Sequence, residues 1–96
     1  MIEMILNTSR ITVYPEKRVE FLQTVRQLVE VIKAARGCKA VGLYVDVADE
    51  NSSLLVGEWE TESDFNNYLH STDHAILHGA ITVLSKGSSD LRATIK

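Results

Sequence analysis

The stretch "KAVGLYVDVADENSSLLVGEWE", Lys39–Glu60, holds two runs rich in apolar and β-branched residues, parted by a polar turn. Lys39–Val47 and Ser53–Glu60 read as strands, and "ADENS" between them supplies the turn residues of a hairpin. Side chains alternate across a strand, so the faces can be sorted. Val41, Leu43, Val45 and Val47 share one face of the first run, with Ala40 and Tyr44 on the other. In the second run Leu55 and Trp59 point one way, Leu54 and Val56 the other. Both sides of this hairpin are therefore apolar. Helices cover one face of a sheet, and the other needs a cover of its own, which a second copy of the same sheet would supply.

Working outward, "MIEMILNTSRITVYP" reads as a strand ending before Pro15, a residue that suits the first turn of a helix. From Glu16, Val19, Leu22, Val25, Leu28/Val29, Ile32 and Ala35 recur at three to four residues, the stripe of an amphipathic helix closed by Arg36-Gly37. Downstream of the hairpin, Thr61 to Asp64 offer caps for a short helix through Leu69, and Ser71 or Thr72 caps another over Asp73–Ser85. "KGSSD" breaks that helix, and Leu91–Lys96 reads as a last strand. The order is β-α-β-β-α-β with a split second helix. Right-handed crossovers turn it into an α+β, ferredoxin-like domain over residues 1–96, a four-stranded antiparallel sheet with helices on one face. Two such sheets packed face to face would make a homodimer, a dimeric α/β barrel.

Composition narrows the function. The 96 residues carry a net charge of −3 and no basic run, which argues against nucleic acid. No apolar run approaches the roughly 20 residues that span a bilayer, and no leader pattern opens the chain. Cys38 is the lone cysteine, so no internal disulfide or paired-cysteine zinc pattern is possible. The expectation is a soluble, cytoplasmic protein without membrane or nucleic-acid partners.

All three histidines fall in "YLHSTDHAILHG", Tyr68–Gly79. On one continuous helix His70 and His78 would lie about 12 Å apart, too far to share an ion. A cap at Ser71 or Thr72 would also separate His70 from the other two, so no metal site is expected. His78 sits at the edge of the apolar stripe Ile76/Leu77, Ala80/Ile81 and Leu84. In the first strand Ile5, Asn7, Ser9, Ile11 and Val13 share a face, the one the helices would cover. A polar pair on that face needs partners or a wet pocket.

The quoted hairpin and its flanks resemble the antibiotic biosynthesis monooxygenase domain family. Pro15 and Lys17 opening a helix with Phe21, Gly37-Cys38 before the second strand, Glu58-Trp59-Glu60 and "DFNNYL" all match its pattern, from about Arg10 to Lys86. The resemblance implies a dimer and a small oxygenase that needs no metal or flavin and joins O₂ to a quinol- or anthrone-like aromatic. Some members instead degrade haem. They resemble this chain at Asn7 and at an aromatic followed ten residues on by a histidine, here Tyr68 and His78. In them the aromatic is tryptophan, the histidine ligates haem iron, and a longer segment parts the last helix from the last strand.

These readings name Asn7, Tyr68 and His78 as the catalytic set, with His78 as base and Asn7 and Tyr68 donating to an oxyanion. Ser9, Trp59 and His74 are expected to line the substrate pocket. No cofactor is expected in that case. The alternatives are haem on His78, and a ligand-binding dimer without catalysis.

Overall fold

In a computed structural model, which describes residues 4–95, the elements run β1 (Met4–Val13), a 3-10 turn (Pro15–Lys17), α1 (Arg18–Ile32), β2 (Cys38–Val45), β3 (Ser52–Trp59), α2 (Glu62–Leu69), α3 (Thr72–Leu84) and β4 (Ser85–Ile95). The sheet order is β2-β3-β1-β4 and every neighbouring pair is antiparallel. This is the ferredoxin-like α+β arrangement, with the second helix split. Met1–Glu3 and Lys96, expected in the first and last strands, lie outside the described residues.

Local chemistry accounts for the breaks between helices. Thr61 Oγ1 accepts from the Asp64 N–H at 3.0 Å and starts α2. Ser71 Oγ accepts from the His74 N–H at 3.2 Å and starts α3, so the two-helix reading holds. Gly37 has φ +79°, the left-handed conformation that glycine adopts at little cost, and a Cβ there would run into the Asp64 side chain. It therefore turns α1 back into β2 and leaves room for α2 above.

Three expectations need correction. The α1 stripe is Phe21, Val25, Val29 and Ile32; Phe21 is fully buried, whereas Val19 is 59% exposed. The cause is helix geometry: each three-residue step drifts about 60° around the axis, so the two steps from Val25 back to Val19 carry Val19 off the buried face. β2 stops at Val45 rather than Val47, because the Asp46 carboxylate accepts from the Ala48 N–H at 2.7 Å and turns the chain. The largest difference is at β4. It starts at Ser85, directly after α3, and "SKGSSD" is strand rather than loop. Ser88, Ser89 and Asp90 pair with Ile11, Arg10 and Ser9 of β1.

The core lies between the sheet and the helices. Ile5, Ile11, Val13, Leu55 and Trp59 from the sheet meet Phe21, Val25, Ile32, Phe65, Leu77 and Ile81 from above. Each such side chain contributes about 1.5–3 kcal/mol on burial. The opposite face has no helix. Tyr44, Leu54 and Leu91 lie there, 61%, 40% and 65% exposed.

Candidate functional site

The helix-covered face of the sheet is not filled throughout. A cavity of about 430 Å³ opens between it and the helices, within the range usual for small-molecule sites. Strand register arranges its floor. Asn7 stands level with Gly57 of β3 and Arg92 of β4, and Ser9 with Leu55 and Asp90. On the other side Val41 and Leu43 of β2 stand level with Gly57 and Leu55. The floor is therefore apolar on β2 and β3, and polar on β1 and β4. α2 contributes Phe65, Tyr68 and Leu69 to the walls, and α3 contributes His74, Leu77, His78 and Ile81.

All six residues singled out from sequence (Asn7, Ser9, Trp59, Tyr68, His74 and His78) line this cavity. Four of them form a row of rings. Trp59 and Tyr68 stack at 4.7 Å with 25° between planes, His74 meets the Tyr68 edge-on at 5.1 Å, and His78 follows 6.3 Å beyond His74. Trp59 also packs at 5.8 Å against Phe65. The row gives the cavity an aromatic wall of stacked and edge-on rings, which an aromatic ligand can pack against. His70 stands apart from it: it caps α2, and its ring Nδ1 lies 2.7 Å from the Asn66 carbonyl. Among the described residues no three His, Cys, Asp or Glu side chains are placed to hold a metal ion.

Electrostatics separate the roles of these groups. Burial, reinforced by the Asp73 and Cys38 side chains, raises the Tyr68 phenol far above its ordinary range, so it stays protonated. Neither of those neighbours lines the cavity, and Tyr68 presents its ring rather than its charge. Burial likewise raises the Cys38 thiol, although its bond with the Ala40 backbone works against this. Its thiol stays protonated, consistent with a structural part.

His74 is held below its ordinary value of 6.5, first by burial and then by His78, while Asp90 pulls the other way. Its Nδ1 is buried without a hydrogen-bond partner. Protonating the ring would put an N–H there with nothing to accept it. His74 is thus a neutral ring at neutral pH.

A depressed histidine makes stability depend on pH. Below 6.5 the unfolded chain takes up a proton that native His74 refuses, so this contribution weakens the fold as pH falls and is absent above 6.5. We expect the urea midpoint of the parent to fall more steeply than that of His74→Gln between about pH 7 and pH 5. Parallel profiles would show that His74 is not depressed.

Sequence reasoning missed Ser88, Asp90 and Arg92, which carry the polar side of the cavity on β4. Arg92 Cζ lies 4.8 Å above the Phe65 ring, a cation–π contact that helps fix the guanidinium. The available signal was alternation: Ser88, Asp90 and Arg92 are two apart, beside a strand already carrying Asn7 and Ser9. Tyr44 lies on the open face, away from the cavity.

Haem does not suit the arrangement well. His78 could offer a ring nitrogen, but β4 follows α3 without an intervening segment, so no α3–β4 loop closes over a macrocycle. One face of Tyr68 is also taken by Trp59. These walls suit a smaller ring system better than a porphyrin.

The chain was compared with known proteins. The sequence model described as antibiotic biosynthesis monooxygenase matches residues 4–79. The candidate monooxygenase YcnE of Bacillus subtilis (strain 168) is 35% identical over 60 residues, which cover 62% of this chain and 63% of YcnE. Two solved structures superpose closely. A conserved protein from Methanosarcina mazei Go1 has a TM-score of 0.91 at 20% identity, covering 99% of this chain and 95% of its own. A variant of SnoaB, a cofactor-independent oxygenase from Streptomyces nogalater, has a TM-score of 0.87 at 18% identity, covering 97% and 93%. At such identities these structures establish the fold alone.

Proposed function

The chain belongs to the antibiotic biosynthesis monooxygenase family, and from that premise we propose that it joins O₂ to a quinol- or anthrone-like aromatic in the cavity between sheet and helices, without metal or flavin. The observation that carries this reading is the pairing of the ring wall Trp59–Tyr68–His74–His78 with a polar floor at Asn7 and Ser9, inside one cavity of about 430 Å³.

The chemistry can be followed on an anthrone-like methylene. His78 lines the cavity and is exposed, so a proton it takes can pass on to solvent. It removes one C–H proton and leaves an electron-rich enolate. One electron passes to O₂, and the radical pair closes a C–O bond to give a peroxide. Loss of the second C–H proton with cleavage of the O–O bond leaves a carbonyl, and the departing oxygen leaves as water. The substrate provides all four electrons that reduce O₂, two ending on the new carbonyl oxygen and two on water. The chain's part is to stack the ring system, exclude water and hold the developing oxyanion. Asn7 donates there through its amide, and His74 as a neutral imidazole. Tyr68 serves as a stacking wall.

The open face bearing Tyr44, Leu54 and Leu91 is proposed as the seat of a second copy of the chain. The oxidation is tested by oxygen uptake across a panel of quinols and anthrones, with chelator present. Uptake above the buffer rate on at least one compound supports it. None on any of them would overturn it.

A further inference from the structure

The floor of the cavity contains one position without a side chain. Gly57 stands opposite Asn7 in the β1–β3 register and two residues before Trp59 on the same face. A Cβ built on it would lie 3.1 Å from Trp59 Nε1 and 3.9 Å from Asn7 Oδ1. The backbone does not demand glycine there, since Gly37 is the only glycine with positive φ among the described residues. What Gly57 contributes is space, and an indole N–H and an amide border that space.

Both groups are available to a ligand. Among the described residues the buried side-chain atoms left without a hydrogen bond are Asn51 Oδ1 and His74 Nδ1. Neither the Trp59 nitrogen nor the Asn7 amide is one of them, and neither is bonded to another side chain, so both reach the cavity. An indole N–H can only donate, and a tryptophan this buried normally has an acceptor. An amide can donate or accept. An atom seated over Gly57 would need to accept from one and to donate to, or accept from, the other. A hydroxyl oxygen does both.

We propose that Gly57, the Trp59 Nε1–H and the Asn7 amide form a subsite for one aromatic hydroxyl of the substrate. Its oxygen accepts from the indole and its proton goes to the Asn7 carbonyl oxygen. Once ionised, it accepts from the indole and from the amide NH₂. The ring carrying this hydroxyl extends from Gly57 into the cavity with its reacting carbon toward His78. A methyl ether is rejected, because it has no proton to give and its methyl would crowd the indole, whose Nε1 lies only 3.1 Å from a Cβ position on Gly57. This subsite rests on the proposed oxidation only for the class of ring it receives.

The test is binding without oxygen. Trp59 is the single tryptophan of the chain, so its fluorescence reports occupancy directly. Under anaerobic conditions dihydroxynaphthalene is expected to quench it and to bind at least about tenfold more tightly than dimethoxynaphthalene, roughly the value of one hydrogen bond. Gly57→Ala is expected to remove that preference, with the fold checked by circular dichroism. Trp59→Phe keeps a ring but loses the donor, and calorimetry is expected to show the same loss, whether or not the alanine variant folds. Equal affinity for the two compounds in the parent, no binding of either, or a preference that survives Trp59→Phe would overturn the subsite. The two proposals fail separately. Selective binding with no oxygen uptake overturns the oxidation alone, and uptake without selectivity overturns the subsite alone.

Discussion

His78→Ala is expected to lower the rate of oxygen consumption about 10²–10⁴-fold, the usual contribution of a positioned general base. Two imidazoles line the cavity, and the proposed oxidation gives them different work. His74 is neutral, and its buried Nδ1 has no acceptor for a second proton. A base must hold the proton it removes, at least briefly, and His74 is poorly built for that. His78 is exposed at the cavity edge, where an imidazolium stays hydrated and can return its proton to solvent. Removing His78 is therefore expected to reduce kcat with little change in KM. The remaining rate is expected to rise with hydroxide concentration as solvent takes over proton removal. His74→Phe keeps the base and loses the donor, so its rate falls while the shape of its pH profile persists. A His78→Ala rate within about twofold of the parent would remove His78 from the mechanism.

The second large effect is expected on the other side of the sheet. Leu54 of β3 stands level with Tyr44 of β2 and Arg10 of β1 on the open face. Val56 is level with Thr8 and, through it, with Leu91 of β4. A stable dimer interface covers about 800 Å² on each partner, with apolar side chains at its centre. This patch is the apolar surface the fold leaves without helices. Leu54→Lys would bury a second cation beside Arg10 at that centre, at a cost of several kcal/mol. Sedimentation is expected to change from twice the 10.7 kDa chain mass for the parent to the single-chain mass for the variant. Leu54 does not line the cavity, so the site remains while the assembly is lost. A parent that sediments as one chain, or a variant that stays paired, would show that the open face has another use.

Most of the fold was legible because its signals are local. Alternation in Leu55/Trp59 against Leu54/Val56 assigned the two faces of β3, and the hydroxyls of Thr61 and Ser71 marked two helix starts. Asn7 and Ser9 were conspicuous as polar residues on a face otherwise carrying Ile5, Ile11 and Val13. The first half of β4 was not legible, for a physical reason. Strand signals come from side chains packed in a core, whereas Ser88, Asp90 and Arg92 point toward a cavity. β4 is also an edge strand, paired with β1 alone. Small and charged residues there look like a loop, because nothing apolar is needed on either side. The phase of α1 was misplaced because a stripe counted in threes from Val19 drifts about 60° per step and passes over Phe21. The special place of Gly57 depends on where the Trp59 ring nitrogen lies, which strand register does not specify.

The most direct test follows the oxygen atom itself. Chelator-treated protein is incubated with an anthrone-like substrate under isotopically labelled O₂, and the product is weighed by mass spectrometry. The account predicts one labelled oxygen in the new carbonyl, the other leaving as water, at a rate that tracks protein concentration. A product that draws its new oxygen from water, or forms no faster than in buffer, would contradict it.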